Sequence, residues 1–308
     1  MNEMTARING SLSDPDGNSR KGHFVVYALL CILPLSLGWN LTSLVASTAL
    51  TSDTYTYIPL IPLVSVFLIY AERKRIFSHI SYDWLKGLAI FIPGAFAIGC
   101  ARFNFFQLQP SNQLSLVVLG FVFAWIGAFA LSWGTVALRA SRFPLLFLVF
   151  MIPIPEPLLS NSVAFLQVWS ANATALFFNI FGLPYLRNDL IFSLPGIAIR
   201  VAEECSGIRS TLALLIMTAL ASHLFLKTTW KQILICLIVV PLSIVKNGLR
   251  IATLSALAVY VDGSFLTGPI HHKFGGMLFF GAAFIPLVIV LRYLKKTDDK
   301  RLTDNASF

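Results

Sequence analysis

Three short polar islands interrupt an otherwise apolar chain. The first, Glu203-Glu204-Cys205-Ser206-Gly207-Ile208-Arg209, sets a thiol between two carboxylates and a guanidinium. The second is Lys246-Asn247-Gly248-Leu249-Arg250, and the third runs from Gly268 to Gly276 and holds the pair His271-His272. A deprotonated thiol attacks carbonyls, an imidazole that titrates near neutrality moves the protons, and a fixed cation stabilises the oxyanion that forms. These are the parts of an acyl-transfer site. Each island alone has a plainer explanation: an interfacial cysteine among snorkelling neighbours, an arginine anchoring a helix at the headgroups, and two solvated loop histidines.

What must position the islands is set by composition. Only 12% of the 308 residues are charged and 56% are apolar, with a mean hydropathy of +0.76. Soluble domains carry about 25% charged residues, so the chain is an integral membrane protein. The net charge of +9 does not point to nucleic acid, because the basic residues flank apolar spans in small clusters: Arg20-Lys21, Arg73-Lys74-Arg75, Arg139 with Arg142, Lys227 with Lys231, and Arg292 to Arg301. That is the pattern of cytoplasmic loops. The four cysteines show no metal-like spacing. Three of them, Cys31, Cys100 and Cys236, sit in apolar runs as packing groups. With no ligand cluster and no phosphate-binding glycine loop, no metal and no organic cofactor is expected.

The fold class expected is an all-α polytopic membrane protein. Eight crossings are counted, starting near Phe24 and then at about 56–71, 87–103, 114–138, 143–159, 207–226, 232–257 and 274–294. Residues 1–22 read as a disordered cytoplasmic tail, 23–296 as one transmembrane domain, and 297–308 as a cytoplasmic C-terminal tail. The segment of about 161–181, with Gln167, Asn172 and Asn179, is expected to lie at the interface or re-enter, because basic clusters on both sides leave no parity for another crossing. "LIFSL" and "IAIRV" flank the turn pair Pro195-Gly196 and predict a short extracytoplasmic β-hairpin leading into Cys205. Cys205 then falls at the outer start of a helix, where unpaired N–H groups and the helix dipole favour a thiolate. Asn247 and Arg250, three apart, share a helix face and point into the bundle, since a charge in the bilayer needs a reason to be there. With both termini inside, Cys205, Arg250 and the histidines reach the same outer rim.

The ordered set "E-x-C-S-G-x-R-S", "N-x-x-R" and "H-x-x-x-G" resembles the exosortase/archaeosortase family of membrane transpeptidases. Here it is Glu203 to Ser210, Asn247 to Arg250, and His272 with Gly276. The stretches Ser52 to Tyr70 and Phe143 to Leu158 are also similar to that family's, and the likeness spans roughly residues 50–294. Tyr55-Thr56-Tyr57 stands where the family frequently has serine-histidine. The resemblance implies a nucleophile at Cys205, a catalytic Arg250, and a histidine at His272, with His271 as the alternative at the same spacing. Glu203, Ser206, Arg209 and Asn247 are its supporting residues. It further implies substrates that are secreted proteins with a C-terminal sorting tail of motif, transmembrane helix and basic cluster. Cleavage would pass through an acyl-enzyme in the inner (plasma) membrane, with water or a lipid or glycan acceptor resolving it. The bilayer is the other partner, and nucleic acid is not one.

Two rival readings use the same residues. An intramembrane protease would only hydrolyse the acyl-enzyme. A transporter or assembly factor would use Asn247 and Arg250 along an anion path, but transporters carry matched breaks in both halves, and this sequence has one break region.

Overall fold

The computed structural model describes residues 17–38, 54–78, 83–263 and 275–306, with positions 43, 45, 47 and 265. His271, His272 and residues 1–16 of the expected N-terminal tail lie outside the described residues. The chain is mostly helical and divides into two units, residues 1–156 and 157–308.

The first unit contains helices α1 (Gly17–Leu37), α2 (Leu60–Ala71), α3 (Arg73–Ile76), α4 (Trp84–Arg102), α5 (Pro110–Ala140) and α6 (Arg142–Phe147), the last continued by a 3-10 turn, Leu148–Met151. α4 and α5 touch backbone to backbone. A methyl group added to Gly94 would lie 2.5 Å from the Ala124 amide nitrogen, and one on Gly127 would lie 2.5 Å from that of Phe91. Lipid tails are as apolar as leucine, so close van der Waals packing through small residues replaces the hydrophobic drive of a soluble core. Around this pair gathers an aromatic cluster of Phe24, Tyr27, Phe77, Phe129 and Trp133, with ring centroids of Phe129 and Trp133 4.7 Å apart. Ser65 donates to the Pro144 carbonyl at 2.7 Å and ties α2 to α6.

The second unit holds α7 (Glu156–Phe181, all but its first residue), strands β1 (Leu186–Asn188), β2 (Ile191–Leu194) and β3 (Ile197–Arg200), and helices α8 (Ile208–Phe225), α9 (Thr229–Tyr260) and α10 (Gly275–Ala306). The predicted hairpin is there, with Pro195-Gly196 between β2 and β3 and Gly196 at φ +79°. A third antiparallel strand, β1, extends it and is joined to β2 through Asp189 at φ +55°. Strand order is β1-β2-β3. Alternation puts Phe192 and Leu194 on one face, where they pack on Ala171, Phe178, Leu183 and Ala252. Asn172 accepts from the Arg187 guanidinium at 2.9 Å and pins β1 to α7.

Six helical segments among the described residues are long and apolar enough to cross a membrane, with three shorter apolar helices besides. The expectation of about eight crossings is compatible with this. The run expected to cross at 143–159 is helical as far as Met151 and non-helical at Pro153 and Pro155, which cannot continue a helix. It leads from Ser141 at the end of α5 to Glu156, whose amide donates to Asn112 at the start of α5 at 2.8 Å. The segment expected to lie at the interface belongs to the 26-residue α7, which is one of the six by length and composition. Gln167 and Asn172 hold the sheet and its exit.

The far end of α8 and α9 is locked by α10. Asp298 accepts from the amides of Lys227 (2.8 Å) and Thr228 (3.1 Å), from the Thr228 hydroxyl, and from the Lys231 ammonium at 3.1 Å. Lys231, read from sequence as part of a basic topology cluster, is therefore a buried ion-pair partner. α10 continues through the expected C-terminal tail as far as Ala306.

Candidate active site

The chain leaves β3 under tight control. The Val201 amide donates to the Leu190 carbonyl at 2.9 Å, and buried Gln167 of α7 donates to the Val201 carbonyl at 3.0 Å. Ala202 is extended, and Glu203–Cys205 closes a 3-10 turn in which the Cys205 amide donates to the Ala202 carbonyl. Ser206 is buried, with 1% exposure. Gly207 sits in the left-handed region at φ +82° as the N-cap of α8. Its carbonyl accepts from the Ser210 and Thr211 hydroxyls, each at 2.9 Å.

Gly207 is required twice over. The left-handed conformation disfavours a β-carbon. A β-carbon there would also stand 3.1 Å from the Asn247 side chain. Asn247 is 1% exposed and donates through Nδ2 to the Cys205 carbonyl at 2.7 Å and to Ser170 Oγ at 3.0 Å. A carbonyl only accepts, so the amide nitrogen must face Cys205. One side chain of the second island thus holds the main chain of the first.

Asn247 can reach because α9 lies against α7 at its next residue. A β-carbon on Gly248 would come within 2.5 Å of the Ala173 β-carbon, and Thr174 Oγ1 lies 3.4 Å from the Gly248 carbonyl. Buried Lys246 donates to Ser210 Oγ of α8. Lys246, Asn247 and Gly248 therefore clamp three pieces of chain together: α7, α8 and the cysteine turn.

Arg250 is half-buried, and its charge acts on both Cys205 and Lys246. Cys205 is half-buried too and lies three residues ahead of the first residue of α8, not in its first turn. The expected helix-terminus activation is correspondingly weaker. Burial holds the thiol above its ordinary range; the Arg250 guanidinium draws it back and the Glu204 carboxylate adds to the rise. The resting thiol is protonated at neutral pH, so a base must remove its proton when it reacts.

The structure thus brings together Cys205, Asn247 and Arg250, with Ser206 buried beneath the turn. Glu203, Glu204 and Arg209 are exposed. An open groove of about 450 Å³ lies beside Cys205, which lines it together with Ile197 to Val201 and the Ile251, Leu254 and Ser255 face of α9. Among the described residues no cluster of metal-ligating side chains occurs.

Sequence reasoning did not single out Ser170 and Thr174, and it passed over Gln167 as interfacial. The signal was available: Gln167, Ser170, Thr174 and Phe178 recur at three- and four-residue spacing, which is one buried face of a helix.

A family model for transmembrane exosortases matches residues 46–289. Comparison with curated proteins and with solved structures yields no match.

Proposed function

Since the chain belongs to the transmembrane exosortase family, we propose that it is a membrane cysteine peptidase or transpeptidase that cuts the C-terminal sorting tails of secreted proteins at Cys205. The observation that supports this most is the bond from Asn247 to the Cys205 carbonyl, one turn before Arg250, which couples the nucleophile's turn to the helix that carries the cation.

The steps follow from the parts. His272, or His271 beside it, takes the Cys205 proton. The sulfur attacks the scissile carbonyl, and Arg250 balances the negative charge on the tetrahedral oxygen. The carbon–nitrogen bond breaks as the histidine returns the proton to the leaving amine. The acyl group remains on Cys205 as a thioester, and water or a lipid or glycan nucleophile displaces it. Because burial disfavours the thiolate at rest, attack requires the base to take the proton. The site is placed on the extracytoplasmic side of the plasma membrane with both termini inside, as the basic loops suggest.

The test compares the C-terminal peptides of exported proteins in the native host with wild-type protein and with Cys205→Ser. Tails of motif, apolar helix and basic cluster are expected to be trimmed only with the wild type. Added mass on the new ends indicates transfer; free carboxylates indicate hydrolysis. Identical proteomes, with the variant present at normal levels, would remove the peptidase reading.

A further inference from the structure

Strand β3 has one paired and one unpaired side: among the described residues, the sheet ends with it. The register tells which main-chain groups face outward. Val201 donates to Leu190. The opposed pairs Ile199↔Phe192 and Ile197↔Leu194 continue that parity, so Ile197, Ile199 and Val201 turn their amides toward β2. The amides of Ala198 and Arg200, and the Ala198 carbonyl, therefore point away from the sheet.

The groove beside Cys205 is lined by the five consecutive residues Ile197 to Val201. Successive side chains of a strand point to opposite faces. A groove that touches all of them must run along the strand's edge, not over a face. Its opposite wall is the apolar Ile251 and Leu254 of α9, and its lining includes Cys205 itself.

We propose that this edge is the substrate-binding strand: an extended peptide segment of the target protein pairs with β3 as a fourth strand and is led past the Cys205 sulfur. The proposal rests on the peptidase reading and adds to it the mode of recognition. Unpaired amides at a membrane interface need partners, and an extended peptide supplies donors and acceptors at the matching spacing, which a lipid chain cannot. Main-chain pairing also fits the flank: the walls offer apolar contact for a side chain facing Ile251 and Leu254, while affinity comes from backbone bonds common to many tails.

Ala198→Pro tests this cleanly. Proline removes an amide that β2 does not use, and edge strands tolerate it there. Proteins are followed in membranes of cells that export a reporter fused to a host sorting tail. The expectation is normal accumulation, unchanged alkylation of Cys205 by iodoacetamide, and reporter trimming slowed about tenfold or more, the worth of a main-chain hydrogen bond. Trimming at the wild-type rate in Ala198→Pro would overturn the proposal. A second measurement places a photo-crosslinking phenylalanine analogue at Ala198 in the Cys205→Ser background. Capture of the reporter tail is expected; capture only of lipid, or of a second copy of this chain, would overturn edge pairing. If Cys205→Ser trims the reporter as the wild type does, the catalytic reading fails by itself, while the crosslink still decides what the edge holds.

Discussion

Gly207 and Gly196 have nearly the same backbone, at φ +82° and +79°, in different surroundings. A β-carbon on Gly196 meets nothing within 4 Å, whereas on Gly207 it meets Asn247 at 3.1 Å. Left-handed backbone costs a residue with a β-carbon about 1–2 kcal/mol. Gly196→Ala is expected to lose about that much stability and keep its trimming activity. Gly207→Ala is expected to lose more stability and most activity, because Asn247 must move off the Cys205 carbonyl. Thermal unfolding in detergent together with reporter trimming checks the pair, and equal losses would show that Asn247 does not position the turn. At this scale the sequence was informative about residue type: Cys205, Asn247 and Arg250 were chosen from chemistry and from the cost of polarity in a bilayer. What spacing could not show is that Asn247 serves the main chain of Cys205 rather than a substrate.

The elements act as a clamp built on α7 and α9. Their contact at Ala173 and Gly248 is too close for another methyl group. Gly248→Ala should force the helices apart and cost about 1–3 kcal/mol, as overpacking does. Adding Ala173→Gly should recover part of the loss, since the nearest clash is with that β-carbon while backbone atoms remain at 3.0 Å. Unfolding midpoints of the two single variants and the double variant give the coupling directly. An absence of rescue would mean that the damage lies elsewhere. The helix–sheet order of this unit was legible from the turn pair Pro195-Gly196 and the apolar runs around it. What the periodicity did not show is that Gln167 and Asn172 of α7 bond to the exit of the sheet and to β1.

For the whole molecule, the proposed topology puts Cys205 on the extracytoplasmic side. Cys31, Cys100 and Cys236 lie within apolar helices, while Cys205 lies in the turn before α8 beside an open groove. An impermeant maleimide added to intact spheroplasts is expected to label Cys205 and to leave Cys205→Ser unlabelled. Labelling only after lysis would place the groove on the cytoplasmic side and invert the topology.

The sequence by itself determined that this is a polytopic membrane protein with a thiol, an amide and a guanidinium in ordered islands. Those properties follow from residue type: transfer cost decides what lies in lipid, and a buried charge must have a purpose. The tertiary structure alone decided which of the polar residues meet. Hydrogen bonds such as Asn247 to Cys205 join positions 42 residues apart, and the contact of Gly248 with Ala173 depends on two backbones approaching. The edge of β3 that is unpaired among the described residues is of the same kind: a strand can be read from alternation, but its free side exists only once its neighbours have taken the other.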